Sequence, residues 1–199
     1  MKLVLASKNP HKLQEMQTIL SQLGLEVVLE SDVGVDVDVE ETGTTFAENA
    51  MLKARAVMEQ SGMAAIADDS GLMVDALDGA PGVYSARYGH LDSDQARTAY
   101  LLKNLEDVPA GQRSARFVSA IACVLPDGRT VTAQGTCEGE ILFAPRGENG
   151  FGYDPVFYVP ALGKTFAEAA PDEKNAVSHR GRALAAFEAA WKEKGYAHE

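Results

Sequence analysis

Cysteine is nearly missing from this chain, with two in 199 residues, Cys123 and Cys137. Neither has a second cysteine or a histidine at zinc-ligand spacing. Buried thiols are therefore expected rather than a disulfide framework or a structural zinc, and so little cysteine fits a reducing, cytoplasmic compartment. Long apolar runs are missing too: none approaches the ~20 residues that a membrane span requires. The opening Met1-Lys2-Leu3-Val4-Leu5-Ala6 reads as a strand rather than a leader. Basic residues are scarce relative to acidic ones, 18 against 29, which gives a formal net charge of −11. A long nucleic acid would be repelled by such a chain unless it carried a concentrated basic face. A small phosphorylated ligand is not excluded, because a local basic site with a bound metal can hold it. The chain has no Walker-type G-x-x-x-x-G-K pattern, no repeats, no low-complexity tract and no clear linker.

What is present suits a globular fold. Apolar residues make up 46% and charged residues 24%, and a chain of this length can bury roughly 70% of the surface its unfolded form exposes. One domain over 1–199 is expected. Residues 2–6 read as a strand. Asn9-Pro10 reads as an N-cap with proline at the first helical position, and Leu13, Met16, Leu20 and Leu23 follow at helical spacing up to Gly24. A second strand is expected over 25–29 and an acidic loop over 31–43. Thr45 and Glu48 form a capping box that opens a helix running to about Ser61. A short buried strand over 63–67 should then end in an Asp68-Asp69-Ser70-Gly71 turn. Residues 78–90 read as loop, and Asp92-Ser93-Asp94-Gln95 caps a third helix ending near Leu105. Residues 115–125 and 129–135 are β-rich and joined at Pro126-Asp127-Gly128, a hairpin signal, and 140–143 extend the sheet. Residues 144–155 read as loop, 156–159 as a short strand and 178–194 as a last helix. Helices and strands mix throughout, so the class is α/β.

Six constellations could carry chemistry. Ser7-Lys8-Asn9-Pro10-His11-Lys12 joins the first strand to the first helix, where exposed N–H groups favour anions; a capped helix with a solvated lysine is the bland alternative. Lys53 projects, at about 100° per residue, on the same side of its helix as Phe46, Ala50 and Val57. It either snorkels out or finds a partner in a cleft that Asn49 also edges. Asp68 and Asp69 repel each other unless something positive holds them, and strand alternation would send them to opposite faces, one to the site and one to a structural hydrogen bond. Glu40-Glu41-Thr42-Gly43 is a solvated acidic loop, or with the Asp pair a source of the oxygen ligands that Mg²⁺ prefers. Gly150-Phe151-Gly152-Tyr153-Asp154-Pro155 displays a ring between two glycines, either as a turn anchor or as a stacking platform for a base. Finally, Ser178-His179-Arg180-Gly181 places cations in a helix's first turn, against the dipole. Arg180 shares the stripe of Leu184, Phe187 and Trp191 and should point inward, whereas Arg182 points out.

In joint order and spacing these motifs resemble the inosine/xanthosine triphosphate pyrophosphatases, house-cleaning enzymes for deaminated purine nucleotides. Gly79-Ala80-Pro81-Gly82 with Tyr84-Ser85-Ala86-Arg87-Tyr88 adds to the likeness, which covers nearly the whole chain. The resemblance implies an elongated mixed sheet with flanking helices, two lobes around a central substrate cleft, and a homodimer. It implies Mg²⁺-dependent hydrolysis of a nucleoside triphosphate (ITP, dITP or XTP) to the monophosphate and pyrophosphate, with no nucleic-acid or membrane partner. Carried over motif by motif, Ser7, Asn9, Lys12 and Lys53 would hold the phosphates. Glu40 and Asp69 would bind the metal, with Asp69 also the base for the attacking water, and Ser70 would contact the substrate. Phe151, flanked by Gly152 and Tyr153, would stack on the base, while Asp154, Lys174, His179 and Arg180 would read its edge or the neighbouring phosphate. Lys8 departs from the family's usual glycine. Two other functions remain open at this level: a pyrophosphatase for modified pyrimidine or methylated nucleotides, and a non-catalytic nucleotide sensor.

Overall fold

The computed structural model describes residues 1–196. Its strands form one seven-stranded mixed sheet in the order β2-β1-β3-β4-β5-β6-β7. They are β1 Lys2–Leu5, β2 Glu26–Leu29, β3 Ala65–Val74, β4 Ser114–Val124, β5 Thr130–Ile141, β6 Phe157–Val159 and β7 Lys164–Thr165. The helices are α1 Pro10–Leu20, α2 Phe46–Ser61, α3 Asp94–Asn104, α4 Pro171–Val177 and α5 His179–Glu193. β1 runs parallel to both neighbours, with Leu3 opposite Val27 and Leu5 opposite Ile66. β6 is antiparallel to β5 and to β7. Among the described residues no helix is long and apolar enough to cross a membrane.

Two compact units divide the chain. The first comprises 1–69, 119–135 and 179 onward; the second comprises 70–118 and 136–178. Each has its own core. In the first, Leu3, Leu5, Met16, Leu20, Ile66 and Cys123 pack with Leu184, Phe187 and Trp191. Burying one such leucine contributes roughly 1.5–3 kcal/mol. In the second, Phe117, Phe157 and Phe166 form an aromatic cluster with centroid separations of 4.6, 5.2 and 5.9 Å, surrounded by Leu72, Leu101, Val156 and Val159.

Local sequence sets the elements that carry the site. Asn9 caps α1 by accepting from the N–H groups of His11 and Lys12 at 2.9 and 3.4 Å, and Pro10 supplies the first helical position. Thr45 caps α2 by accepting from Glu48 N, and Glu48 reaches back to the N–H of Thr44 at 2.8 Å. Gly62, in a left-handed conformation, stops that helix. α5 lies directly on β5 at Gly135, where a Cβ would collide with backbone atoms of His179 and Ala183. A side chain there would push away the turn that carries Arg180.

Three expectations change. The strand expected to end before Asp68 continues to Val74, because both aspartates have cationic partners and can stay in the ladder. The second of the two β runs after Ala115 is longer than expected, so that β5 takes in 140–141 without a break. The last helix is preceded by a separate short helix, α4, with extended Ser178 between them.

Candidate active site

Asp68 and Asp69 point to opposite sides of β3, and each meets a lysine. Asp68 is 1% exposed. Its Oδ2 accepts from Lys12 Nζ at 2.9 Å and from Arg180 Nη2 at 3.1 Å. Its Oδ1 accepts a short bond from the Ser119 hydroxyl on β4. The main-chain carbonyl of Asp68 accepts from Lys12 at 3.3 Å and from Lys53 at 3.2 Å. Burial alone would push this carboxyl up, but Arg180, Lys12 and Ser119 hold it well below the ordinary carboxylate range.

Asp69 is the contrasting neighbour. Lys53 donates to its Oδ1 at 2.9 Å, while its Oδ2 is buried with no hydrogen-bond partner. Burial, opposed by Lys53, raises its pKa. Glu41 adds negative charge nearby, with Oε1 3.8 Å from Lys53 Nζ. The turn that carries Glu41 is pinned to α2, because Gly43 N donates to Asn49 Oδ1 at 2.8 Å. A Cβ at Gly43 would sit 2.5 Å from that oxygen. An orphaned buried carboxylate oxygen beside a second acid is the kind of donor set that a hard cation satisfies. Among the described residues, however, no group of three or more His, Cys, Asp or Glu side chains is placed to hold a metal by itself.

Burial lowers the pKa of Lys12, against the pull of Asp68. Arg180 is 1% exposed, and α5 aims it inward as its helical stripe required. Burial works against its charge, yet Asp68 and Glu15 raise its pKa. Glu15, one turn along α1 from Lys12, takes the Arg180 Nη1 in a short ion pair.

The second unit holds a separate cluster. Lys174 Nζ donates to Asp154 Oδ2 at 2.8 Å and lies 4.8 Å from the centroid of the Phe151 ring. Phe151 N donates to the same Asp154 oxygen at 3.1 Å. Gly152 N donates to Asp94 on α3 at 2.9 Å, and the Tyr153 hydroxyl donates to the carbonyl of Ser85 at 2.6 Å. Burial pushes the Tyr153 phenol up. The result is a loop tied at three points that leaves the Phe151 ring only partly buried.

The structure thus gathers Lys12, Lys53, Asp69 and Arg180 around Asp68 in one unit, and Phe151, Asp154 and Lys174 in the other. Ser7 and Asn9 stand at the start of α1, where Ser7 Oγ accepts from Asn9 N at 3.1 Å. Ser70 follows Asp69 on β3, partly exposed, and His179 is buried at the first position of α5. Glu40 is exposed; the acid of that turn that reaches Lys53 is Glu41. Sequence reasoning missed Glu15 and Ser119 as members of the network, and chose Glu40 where Glu41 is the acid that reaches Lys53. The signals were there: Ser119 is a lone hydroxyl within the apolar run 117–123, and Glu15 is three residues from Lys12.

A family model described as the Ham1 family matches residues 3–190. A dITP/XTP pyrophosphatase of Geobacillus kaustophilus is 51% identical over 192 residues, spanning 96% of this chain and 94% of that protein. Among solved structures, a HAM1 protein from Coxiella burnetii superposes with a TM-score of 0.86 at 46% identity, covering 97% of this chain and 99% of the other. A nucleoside-triphosphatase / dITP/XTP pyrophosphatase from Mycobacterium abscessus superposes with a TM-score of 0.75 at 50% identity, covering 94% and 98%.

Proposed function

The chain belongs to the Ham1 family, and from that premise we propose that the cluster around Asp68 and Asp69 is the phosphate-handling centre of a nucleoside triphosphate pyrophosphatase. The enzyme hydrolyses deaminated purine nucleoside triphosphates, ITP, dITP and XTP, to the monophosphate and pyrophosphate, which removes them from the nucleotide pool. The observation that carries the assignment of roles is the asymmetry of the Asp pair. Asp68 is saturated by Ser119, Lys12 and Arg180, whereas Asp69 keeps one buried oxygen open. A base needs such a free acceptor within reach of a water.

In this reading a water attacks the α-phosphorus and gives its proton to Asp69. The bond from the α-phosphorus to its bridging oxygen breaks, and pyrophosphate leaves with the electron pair. Lys12 and Lys53 offset the charge that develops on the leaving group. Ser7 and Asn9, at the start of α1, add neutral contacts to phosphate. The cluster contains three cations, Lys12, Lys53 and Arg180, against the four carboxylates of Glu15, Glu41, Asp68 and Asp69. Such a surplus of negative charge would repel a triphosphate unless a further cation is bound. Mg²⁺ fits that requirement, held by Asp69 with a carboxylate of the Glu40-Glu41 turn. When bound it would neutralise phosphate charge and polarise the phosphoryl oxygen.

The second unit's cluster is proposed to recognise the base. Phe151, with Gly152 and Tyr153, presents a ring for stacking, and Asp154 holds Lys174 over that ring. Hypoxanthine and xanthine carry a 6-oxo acceptor where adenine carries a 6-amino donor. A lysine can only donate, so the 6-amino group of adenine would set donor against donor, at a cost of ~1–3 kcal/mol. His179 is proposed to add to base recognition and Ser70 to contact the substrate. Arg180 serves the phosphate side in this reading, because two carboxylates already engage it. A homodimer, implied by the family resemblance, and a cytoplasmic location, in keeping with two buried cysteines that form no disulfide, complete the proposal.

The test is a hydrolysis screen of ITP, dITP, XTP, ATP and GTP with and without Mg²⁺, with the products separated. Magnesium-dependent release of pyrophosphate from the 6-oxo deaminated nucleotides is expected. Diphosphate plus orthophosphate as products would reject the mechanism, and a preference for modified pyrimidines would reject the substrate assignment.

A further inference from the structure

We infer that Ser119 and Glu15 are positioning residues of this centre, which hold the Asp68 carboxylate and Arg180 so that Asp68 aims Lys12. The inference rests on the reading above, in which Lys12 grips the polyphosphate with Lys53.

Asp68 is a hub with two outputs. Its Oδ2 and its carbonyl together fix Lys12 at 2.9 and 3.3 Å, and the same carbonyl fixes Lys53 at 3.2 Å. An aspartate's terminal torsion is broad and nearly two-fold, so the backbone alone does not decide which carboxylate oxygen faces Lys12. The Ser119 hydroxyl decides it by capturing Oδ1 from the adjoining strand. Ser119 is 0% exposed within the run Phe117-Val118-Ser119-Ala120-Ile121-Ala122-Cys123. A buried hydroxyl among apolar residues must use its donor, and here it uses it on Asp68.

Glu15 acts from the other end. A guanidinium left alone with a carboxylate tends to engage both oxygens side by side. Arg180 instead gives Nη2 to Asp68 and Nη1 to Glu15, which leaves room on Oδ2 for Lys12. Because Glu15 and Lys12 lie three apart on α1, one helix turn delivers both the lysine and the carboxylate that keeps Arg180 from displacing it.

The experiment is a double-mutant cycle on the Mg²⁺-supplied, full-length enzyme, with XTP as substrate. Misaimed cations cost transition-state stabilisation more than ground-state binding, so Ser119→Ala should lower kcat about tenfold while KM stays within about threefold. Glu15→Gln should lower kcat about fivefold. Lys12→Met should lower it about 100-fold, and in that background neither Ser119→Ala nor Glu15→Gln should add more than about twofold. Ser119→Thr keeps the hydroxyl donor and should recover activity to within about threefold of the parent. Wild-type kcat in Ser119→Ala, or an equal loss with and without Lys12, would overturn the inference and leave the role of Lys12 intact. Wild-type kcat in Lys12→Met would overturn the role of Lys12 itself, and the inference with it. If Ser119→Ala does not fold, the Glu15→Gln arm decides, since that side chain is 14% exposed.

Discussion

In the first unit the buried charges form a mesh in which Asp68 alone serves Lys12, Arg180 and Ser119, and its carbonyl serves two lysines. In the second unit the ion pair of Lys174 with Asp154 stands beside a ring. A mesh fixes several cations at once and shares the cost of burying them, which suits holding a polyanion while it changes charge. An ion pair beside an aromatic face fixes one donor and one plane, which suits recognising a flat group whose charge does not change. The two units should therefore fail differently: the first in turnover and stability, the second in affinity and selectivity.

The largest effect should come from Asp69. Asp69→Asn keeps the shape but removes the proton acceptor, so kcat should fall about 10²–10⁴-fold, as for other general bases. Single-turnover pyrophosphate release, with thermal melting to check folding, measures it. A loss below about tenfold would remove Asp69 as the base and erase the contrast with Asp68.

How much of that contrast could be read from sequence depends on what each feature needs. Opposed aspartates, an inward Arg180 and the capped helices α1 and α2 all follow from local periodicity, and the structure has each of them. The continuation of β3 through two adjacent acids did not follow, because the charges that permit it come from 56 and 112 residues away. Ser119 was invisible as a member of the network for the same reason: its partner is 51 residues distant. The short α4 and β7 were missed because seven and two residues carry too little periodic signal.

Next in size is Asp68→Asn. It leaves the buried Arg180 and the partly buried Lys12 facing a neutral amide, and breaking such a pairing typically costs about 3–5 kcal/mol. Urea unfolding at pH 7 measures it. The folded pKa of Asp68 lies below its unfolded value, so its contribution is complete above the unfolded value of about 3.9 and fades as pH falls through the folded one. The gap between parent and mutant should therefore narrow in acid. A gap that widens as pH falls would contradict the ion-pair account.

Phe151→Ala tests the second unit. Loss of a stacking ring should weaken substrate binding by about 1–3 kcal/mol. This should appear mainly in KM, with kcat changed far less, because in the proposed role the ring would meet the base alike in ground and transition states. A loss confined to kcat would place Phe151 with the reacting groups and break the division of labour between the units.

The smallest effect should come from the charges outside both clusters, and it calibrates the others. Arg116 bridges Asp75 at 2.9 Å and Glu138 at 3.0 Å on the exposed side of β4. Its hydrogen bonds, with that of Ser114, hold the Asp75 carboxyl below its ordinary range, yet Asp75 is 46% exposed. Exposed pairs contribute only about 0–1 kcal/mol and are screened by salt. Arg116→Met should thus shift the urea midpoint slightly in dilute buffer and hardly at all in concentrated salt. Because the pKa of Asp75 is depressed, this small contribution too is present at neutral pH and lost in acid. An effect as large as that of Asp68→Asn would mean that burial is not what separates the mesh from ordinary surface charge, and the comparison between the units would lose its physical basis.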